Sequence, residues 1–295
     1  LLTIQGMSLF DSACHSMTAL STGGYSPHDL SIGFYAAHPD QFPYFIWMEY
    51  TLILGMILGG MNFFVHYRLI SEGVRALWDN LEMKLFWAIV VFSTAIIFFE
   101  RLLKPTTLSL HALFRASLFQ VTSILTTTGF GTEDIAAPGL YPAGSRQILL
   151  LLMVIGGCVG STGGGIKVLR IGVLCKMLHR QVKKLIWGSR AVHPVVVDGD
   201  PIPDEELHRI SALFFAWMGL LMIGSLISAL LSSHSAFASA SGMFSALGNI
   251  GPCFIPTPDM ALLHPLIKIV YTFGMLAGRL EILPLLLLFS PSTWK

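Results

Sequence analysis

Three short phrases place a hydroxyl or amide residue, one further residue and a glycine at the foot of an apolar stretch. They are Thr22-Gly23-Gly24, Thr127-Thr128-Gly129 and Asn249-Ile250-Gly251. Such triplets suit one kind of chemistry. An extended backbone can turn its carbonyl oxygens to one side, where they replace the hydration shell of a cation. Glycine admits the dihedral angles this requires, and other residues resist them. The Thr hydroxyls and the Asn249 amide can add oxygen ligands or brace the segment. An ordinary glycine turn between helices is the competing reading. Register argues against it: the final glycines are 105 and 122 residues apart, and Phe10, Arg115 and Phe237 fall fourteen positions before them. Ser12, Ser117 and Ser239 form another such column, and a short amphipathic segment precedes each triplet.

A second glycine cluster, "GGCVGSTGGGIK" at 156–167, has six glycines in twelve residues within an apolar run. Glycine costs about 1 kcal/mol against alanine inside a helix, so this run is expected to break in two. Close packing of small residues accounts for a pair such as Gly55 and Gly59. It fits poorly with three in a row, and Gly163, Gly164 and Gly165 read instead as a mobile intramembrane loop below the triplets. Lys167 would lie at or just beneath that loop. Arg279 falls near the middle of the last apolar run, where an arginine by default faces a cavity or a partner. Pairing with Glu281 is disfavoured, because residues two apart on a helix point in different directions.

The remaining polar residues carry weaker signals. Glu133, Asp134 and Asp29 follow triplets and could concentrate cations at a mouth or be solvated loop acids. Glu49, inside an apolar run, calls for a partner on another helix. His15 reads as packed or hydrogen-bonded, and no histidine shows metal-ligand spacing. Cys14, Cys158, Cys175 and Cys253 sit in or beside apolar runs and read as small buried hydrophobes.

The elements that must hold these residues are membrane helices. The 295 residues are 54% hydrophobic and 12% charged, with a mean hydropathy of +0.69. Five runs are long enough to span a bilayer, at 42–65, 85–99 with its flanks, 147–166, 210–233 and 262–289. The repeating unit is a spanning helix, a short helix, a glycine-containing extended segment and a second spanning helix. The expected units are a partial copy at 1–67, a linker at 68–81, a complete copy at 82–179, a cytoplasmic loop at 180–206 and a last copy at 207–295. Lysine and arginine concentrate in 67–84 and 167–209, with Lys295 beyond, against only Arg101, Lys104, Arg115 and Arg146 on the other side. The positive side faces the cytoplasm, so the short helices enter from outside. The chain starts at Leu1 and reads as beginning inside a longer protein.

"ALSTGGYS", "LTTTGFGTED", "GGCVGSTGGGIKVLRI", "ALGNIGP" and "GMLAGRLEI" together resemble the signatures of the Trk/Ktr/HKT superfamily of potassium transporters, most closely its TrkH membrane subunits. The resemblance runs through essentially the whole chain. It implies an all-α integral membrane fold in which four helix–pore-loop–helix units surround a central potassium pathway. This chain would supply the second unit from its pore loop onward, plus the third and fourth. The nine triplet residues would line the selectivity filter through their carbonyls. Gly163, Gly164, Gly165, Lys167 and Arg279 would form the gate, with the arginine opposing cations below the filter. The family further implies a homodimer in the bacterial cytoplasmic (inner) membrane, in contact with lipid and with a cytoplasmic nucleotide-binding regulatory subunit of the TrkA type. The transported potassium ion takes the place of any cofactor. The chain departs from the pattern at Asn249 and Ile250, and Cys253 stands where glycine is expected.

Other classes fit less well. A net charge of +1 offers no bulk attraction for nucleic acid. An enzyme would need a polar catalytic cluster in the spans, and none is apparent. A sodium- or proton-coupled cation symporter is the alternative, favoured by inverted repeats with paired broken helices. Here the repeats run parallel, and only one span is expected to break.

Overall fold

A computed structural model describes residues 1–105, 108–187, 194–288 and Trp294. Part of the expected cytoplasmic loop, 188–193, and the end of the last expected span lie outside the described residues. The chain begins with a short helix, α1 (Leu9–Leu20), followed by α2 (Gly33–Ala37), α3 (Phe45–Gly60) and α4 (Phe63–Glu72). A 3-10 turn (Val74–Leu77) leads into α5 (Leu81–Leu102), α6 (Leu110–Leu125), α7 (Ala143–Leu152) and α8 (Val168–Trp187). A hairpin of β1 (Val196–Val197) and β2 (Asp200–Pro201) follows. The remainder is α9 (Asp204–Leu231), α10 (Ala236–Gly248), α11 (Thr257–Leu262), α12 (Pro265–Arg279) and α13 (Ile282–Leu288).

The protein is a multi-pass, all-α membrane protein, but fewer of its spans are continuous than the apolar runs suggest. Among the described residues, α5 and α9 are long and apolar enough to cross a membrane as single helices. The expected span at 42–65 stops at Gly60, and α4 leaves it at 103°. Met61 is extended there, and the Asn62 side chain caps α4 by accepting from Phe64 N–H. The 147–166 run does break as its glycines require, into α7 and an irregular segment. The last span also breaks, between α12 and α13, where Glu281 takes φ +59°. Arg279 is therefore a helix-terminal residue rather than a mid-span one.

The expected cytoplasmic loop is also more ordered than its composition suggests. The α8 helix continues to Trp187, and α9 starts at Asp204, with Asp204, Glu205 and Glu206 in its first turn where the helix dipole favours anions. Arg180 pairs with Asp204 at 2.9 Å, tying α8 to α9. Asp198 in the hairpin accepts from Leu81 N–H at 2.8 Å, so the hairpin docks on the start of α5.

The short helices pack against their neighbours, α1 against α3, α6 against α3 and α5, and α10 against α9 and α12. The α1–α3 contact explains Gly55 and Gly59. A Cβ on Gly55 would lie 3.3 Å from Ala19 Cβ, and one on Gly59 would lie 2.6 Å from Leu20 O. Gly59→Val should therefore overpack this contact and cost about 1–3 kcal/mol. Thermal unfolding of the detergent-solubilised protein would measure it, and an unchanged midpoint would refute the close-packing account.

Candidate functional site

The three triplets are built by one local plan. The short helices start at Ser8, Ser109 and Ser235, whose side chains accept from the N–H of Asp11, Ala112 and Ala238. At their far ends, the carbonyls of Thr18, Ser123 and Ser245 accept from Gly23 (2.8 Å), Thr128 (2.9 Å) and Ile250 (3.0 Å). Thr22, Thr127 and Asn249 then take φ of +49°, +57° and +57°. Threonine is β-branched and avoids this left-handed region, at a cost of roughly 1–3 kcal/mol per residue. The same outlier at the same position of three repeats marks an imposed geometry. It reverses the backbone at the end of each helix and sends the next residues across the molecule.

Hydroxyls six residues before each final glycine brace the turn. Thr18 Oγ1 donates to Tyr25 O at 2.9 Å, Ser123 Oγ donates to Phe130 O at 2.6 Å, and Ser245 Oγ accepts from Gly251 N at 3.0 Å. This column escaped the sequence reading, although its constant offset from the glycine was available as a signal. The triplets lie side by side. A Cβ on Gly24 would overlap the Thr128 carbonyl oxygen, and one on Gly129 would overlap that of Ile250. A Cβ on Gly251 would meet nothing within 4 Å, so this edge of the row is open among the described residues.

The glycine-rich segment lies directly beneath. It folds back on itself through Gly156 N–H to Ile166 O (2.8 Å) and Ile166 N–H to Val154 O (3.0 Å). Cys158 N–H donates to Gly60 O at 2.9 Å, and Val159 N–H donates to the Glu82 carboxylate at 2.6 Å. Two bonds reach the triplets: Gly164 N–H to Thr127 Oγ1 at 2.7 Å, and Thr22 Oγ1 to Thr162 Oγ1 at 3.0 Å. From below, Arg279 Nη1 donates to Thr162 O at 2.7 Å, and Lys167 Nζ donates to Gly163 O. Side chains have no room here. A Cβ on Gly163 would come within 3.1 Å of Thr126 O, and one on Gly164 within 2.7 Å of Gly248 O. Gly165 has φ +65°. The segment is tied down by these bonds, and its glycines serve close approach.

Arg279 does not pair with Glu281. That carboxylate accepts instead from Arg170 at 2.9 Å, on α8, which follows the glycine-rich segment. Glu82, almost fully buried, is the residue the sequence reading missed; an acid just inside an apolar span was its signal. Glu133 is held by Arg101 at 3.0 Å and by the Tyr141 hydroxyl at 2.9 Å, which removes it as a free acid. Asp134 and Asp29 are exposed. Glu49 finds its partner in Arg115 at 2.6 Å. His15 is fully buried, with Nε2 3.0 Å from Ser26 Oγ. The uniform expectation for cysteines needs correction. Cys158 and Cys253 are buried, but Cys14 is half-buried and Cys175 exposed, because α8 turns a face away from its neighbours. No cluster of three or more His, Cys, Asp or Glu that could hold a metal occurs among the described residues.

Known proteins resemble this chain in sequence and in fold. The family model described as "TrkH: Cation transport protein" matches residues 3–295. The Trk system potassium uptake protein TrkH of Escherichia coli (strain K12) is 30% identical over 296 residues, a match covering 98% of this chain and 58% of that protein. The Trk system potassium uptake protein TrkI of Halomonas elongata is 31% identical over 300 residues, covering 98% of this chain and 57% of its own. Among solved structures, the potassium transporter TrkH from Vibrio parahaemolyticus superposes with a TM-score of 0.85 at 29% identity, covering 100% of this chain and 61% of that one. The chain thus spans about three-fifths of the length of these relatives.

Proposed function

Because this chain belongs to the TrkH family of cation transport proteins, we propose that it forms most of the wall of a potassium uptake pathway. The relatives named for potassium uptake support the choice of ion. Carbonyls of Thr22-Gly23-Gly24, Thr127-Thr128-Gly129 and Asn249-Ile250-Gly251 face the dehydrated ion. The observation that carries this reading is the packing of Gly24 against the Thr128 carbonyl and of Gly129 against that of Ile250. Three separate repeats bring non-helical backbone, with its carbonyls, to one place, as a carbonyl filter needs. The repeats follow the units 1–67, 82–179 and 207–295, with 68–81 and 180–206 on the cytoplasmic side. A further unit beside Gly251 completes the ring.

The plug formed by Gly163, Gly164 and Gly165, held by Lys167 and Arg279, closes the path below the filter. The Arg279 guanidinium, exposed beside the plug, opposes a cation approaching that path by like-charge repulsion. The protein works as a homodimer in the bacterial inner membrane, and its α8 and hairpin surface receives a nucleotide-binding regulatory subunit of the TrkA type.

Arg279→Ala removes both the charge and the bond to Thr162 O. Basal rubidium uptake into cells lacking their own potassium uptake systems should rise by roughly one to two orders of magnitude, because a lost charge-assisted hydrogen bond costs about 1.5–3 kcal/mol of closed-state stability. Uptake at or below the parent level would remove Arg279 from the gate.

A further inference from the structure

Thr22, Thr127 and Asn249 share one repeat position and one backbone strain, and their side chains share one neighbour. Thr127 Oγ1 accepts from Gly164 N–H at 2.7 Å. Thr22 Oγ1 lies 3.0 Å from Thr162 Oγ1, whose own carbonyl is held by Arg279. Asn249 Cβ is where a side chain on Gly164 would collide, and its Nδ2 donates to Met275 O at 3.0 Å, one turn before Arg279. Thr22 and Thr127 therefore meet the plug through hydroxyl oxygens that also carry free lone pairs, and Asn249 lies close beside it.

A cation at the inner end of the filter would draw on those same oxygens. The N–H of Gly164 turns its positive end toward Thr127 Oγ1, and a cation bound to that oxygen would face it. The two occupants oppose each other electrostatically, and the surrounding backbone leaves no slack to separate them. We propose that seating of the plug and occupancy of the innermost cation position are antagonistic. Binding of the transported ion at Thr22, Thr127 and Asn249 loosens the plug, and a seated plug weakens binding there. The coupling must be reciprocal, because both events bias one equilibrium. The proposal rests on the triplets being cation ligands and adds that the substrate itself is an effector of the gate.

Cys158 provides the reporter. It lies in the plug, is fully buried, and its N–H is bonded to Gly60 O. In the full-length transporter reconstituted in lipid vesicles, with every other cysteine replaced by alanine, maleimide modification of Cys158 reads plug release. Potassium chloride is titrated against choline chloride at constant ionic strength, and radioactive rubidium binding is measured in parallel. The modification rate should rise roughly three- to tenfold, the span that one net hydrogen bond allows, with the midpoint of rubidium binding. Thr127→Val should speed modification without potassium and shrink the potassium effect to below about twofold. Thr127→Ser should restore both. Rubidium binding with a flat modification rate overturns the coupling and leaves the filter reading standing. A full potassium response in Thr127→Val overturns the assignment of the shared oxygen. Absence of rubidium binding removes the filter reading and the coupling with it.

Discussion

Gly129→Ser is expected to abolish potassium-selective uptake, the largest functional effect of any single substitution in this chain. Two costs add at this position. The backbone sits at φ +88°, where an L side chain is strained, and a Cβ would overlap the Ile250 carbonyl oxygen. The neighbouring strand must then move, and with it an oxygen that faces the ion. Selectivity between two similar cations depends on small differences in ligand number and field, so displacing one carbonyl acts on the discriminating term directly. Each lost increment of about 1.4 kcal/mol is a factor of ten, and a fall in potassium-over-sodium selectivity of roughly tenfold or more is expected. Growth of uptake-deficient cells across potassium concentrations, with and without added sodium, measures it. Gly131 supplies the control, because a Cβ there would lie an unremarkable 3.4 Å from Glu133 O. Gly131→Ala should leave selectivity unchanged. Equal defects in both variants would show that the region is merely fragile.

The repeats were legible because their chemistry is local. A short helix and a glycine each need particular residue types at fixed offsets, so three copies announce themselves without any tertiary knowledge, whereas the left-handed Thr22 and Thr127 run against residue preference and show only in the structure. The helix breaks were legible only where glycine causes them, as at 156–167. At the 103° turn between α3 and α4, Asn62 accepts from Phe64 N–H two residues ahead and caps α4, which hydropathy cannot register. The break at Glu281 is stabilised by Arg170, 111 residues away. Glu133 shows the same boundary: by sequence it is a loop acid beside a filter, yet Arg101 and Tyr141 neutralise it. Residue type and spacing revealed which groups could bind an ion, whereas pairing across distant segments decided which acids stayed free.

The Glu49–Arg115 pair is a distant pairing in which both charges are buried. Arg115 Nε donates to Glu49 Oε2 at 2.6 Å, and both side chains are more than nine-tenths buried. Glu49 belongs to α3 and Arg115 to α6, the short helix that leads into the Thr127 triplet, so the pair ties one repeat to the next. Tyr50 and His111 extend it: the Tyr50 hydroxyl lies 3.1 Å from His111 Nε2, and His111 Nδ1 lies 3.4 Å from Arg115. Arg115→Leu would strand a carboxylate in an apolar interface, and breaking one side of a buried pair costs about 3–5 kcal/mol. Glu49→Leu should cost a similar amount. The double variant, with both charges gone, should recover much of the loss, since a buried pair is often no better than its apolar replacement. Thermal unfolding of the four proteins in detergent gives the cycle. Additive losses would mean that the two residues do not interact, and the α3–α6 contact would then rest on apolar packing alone.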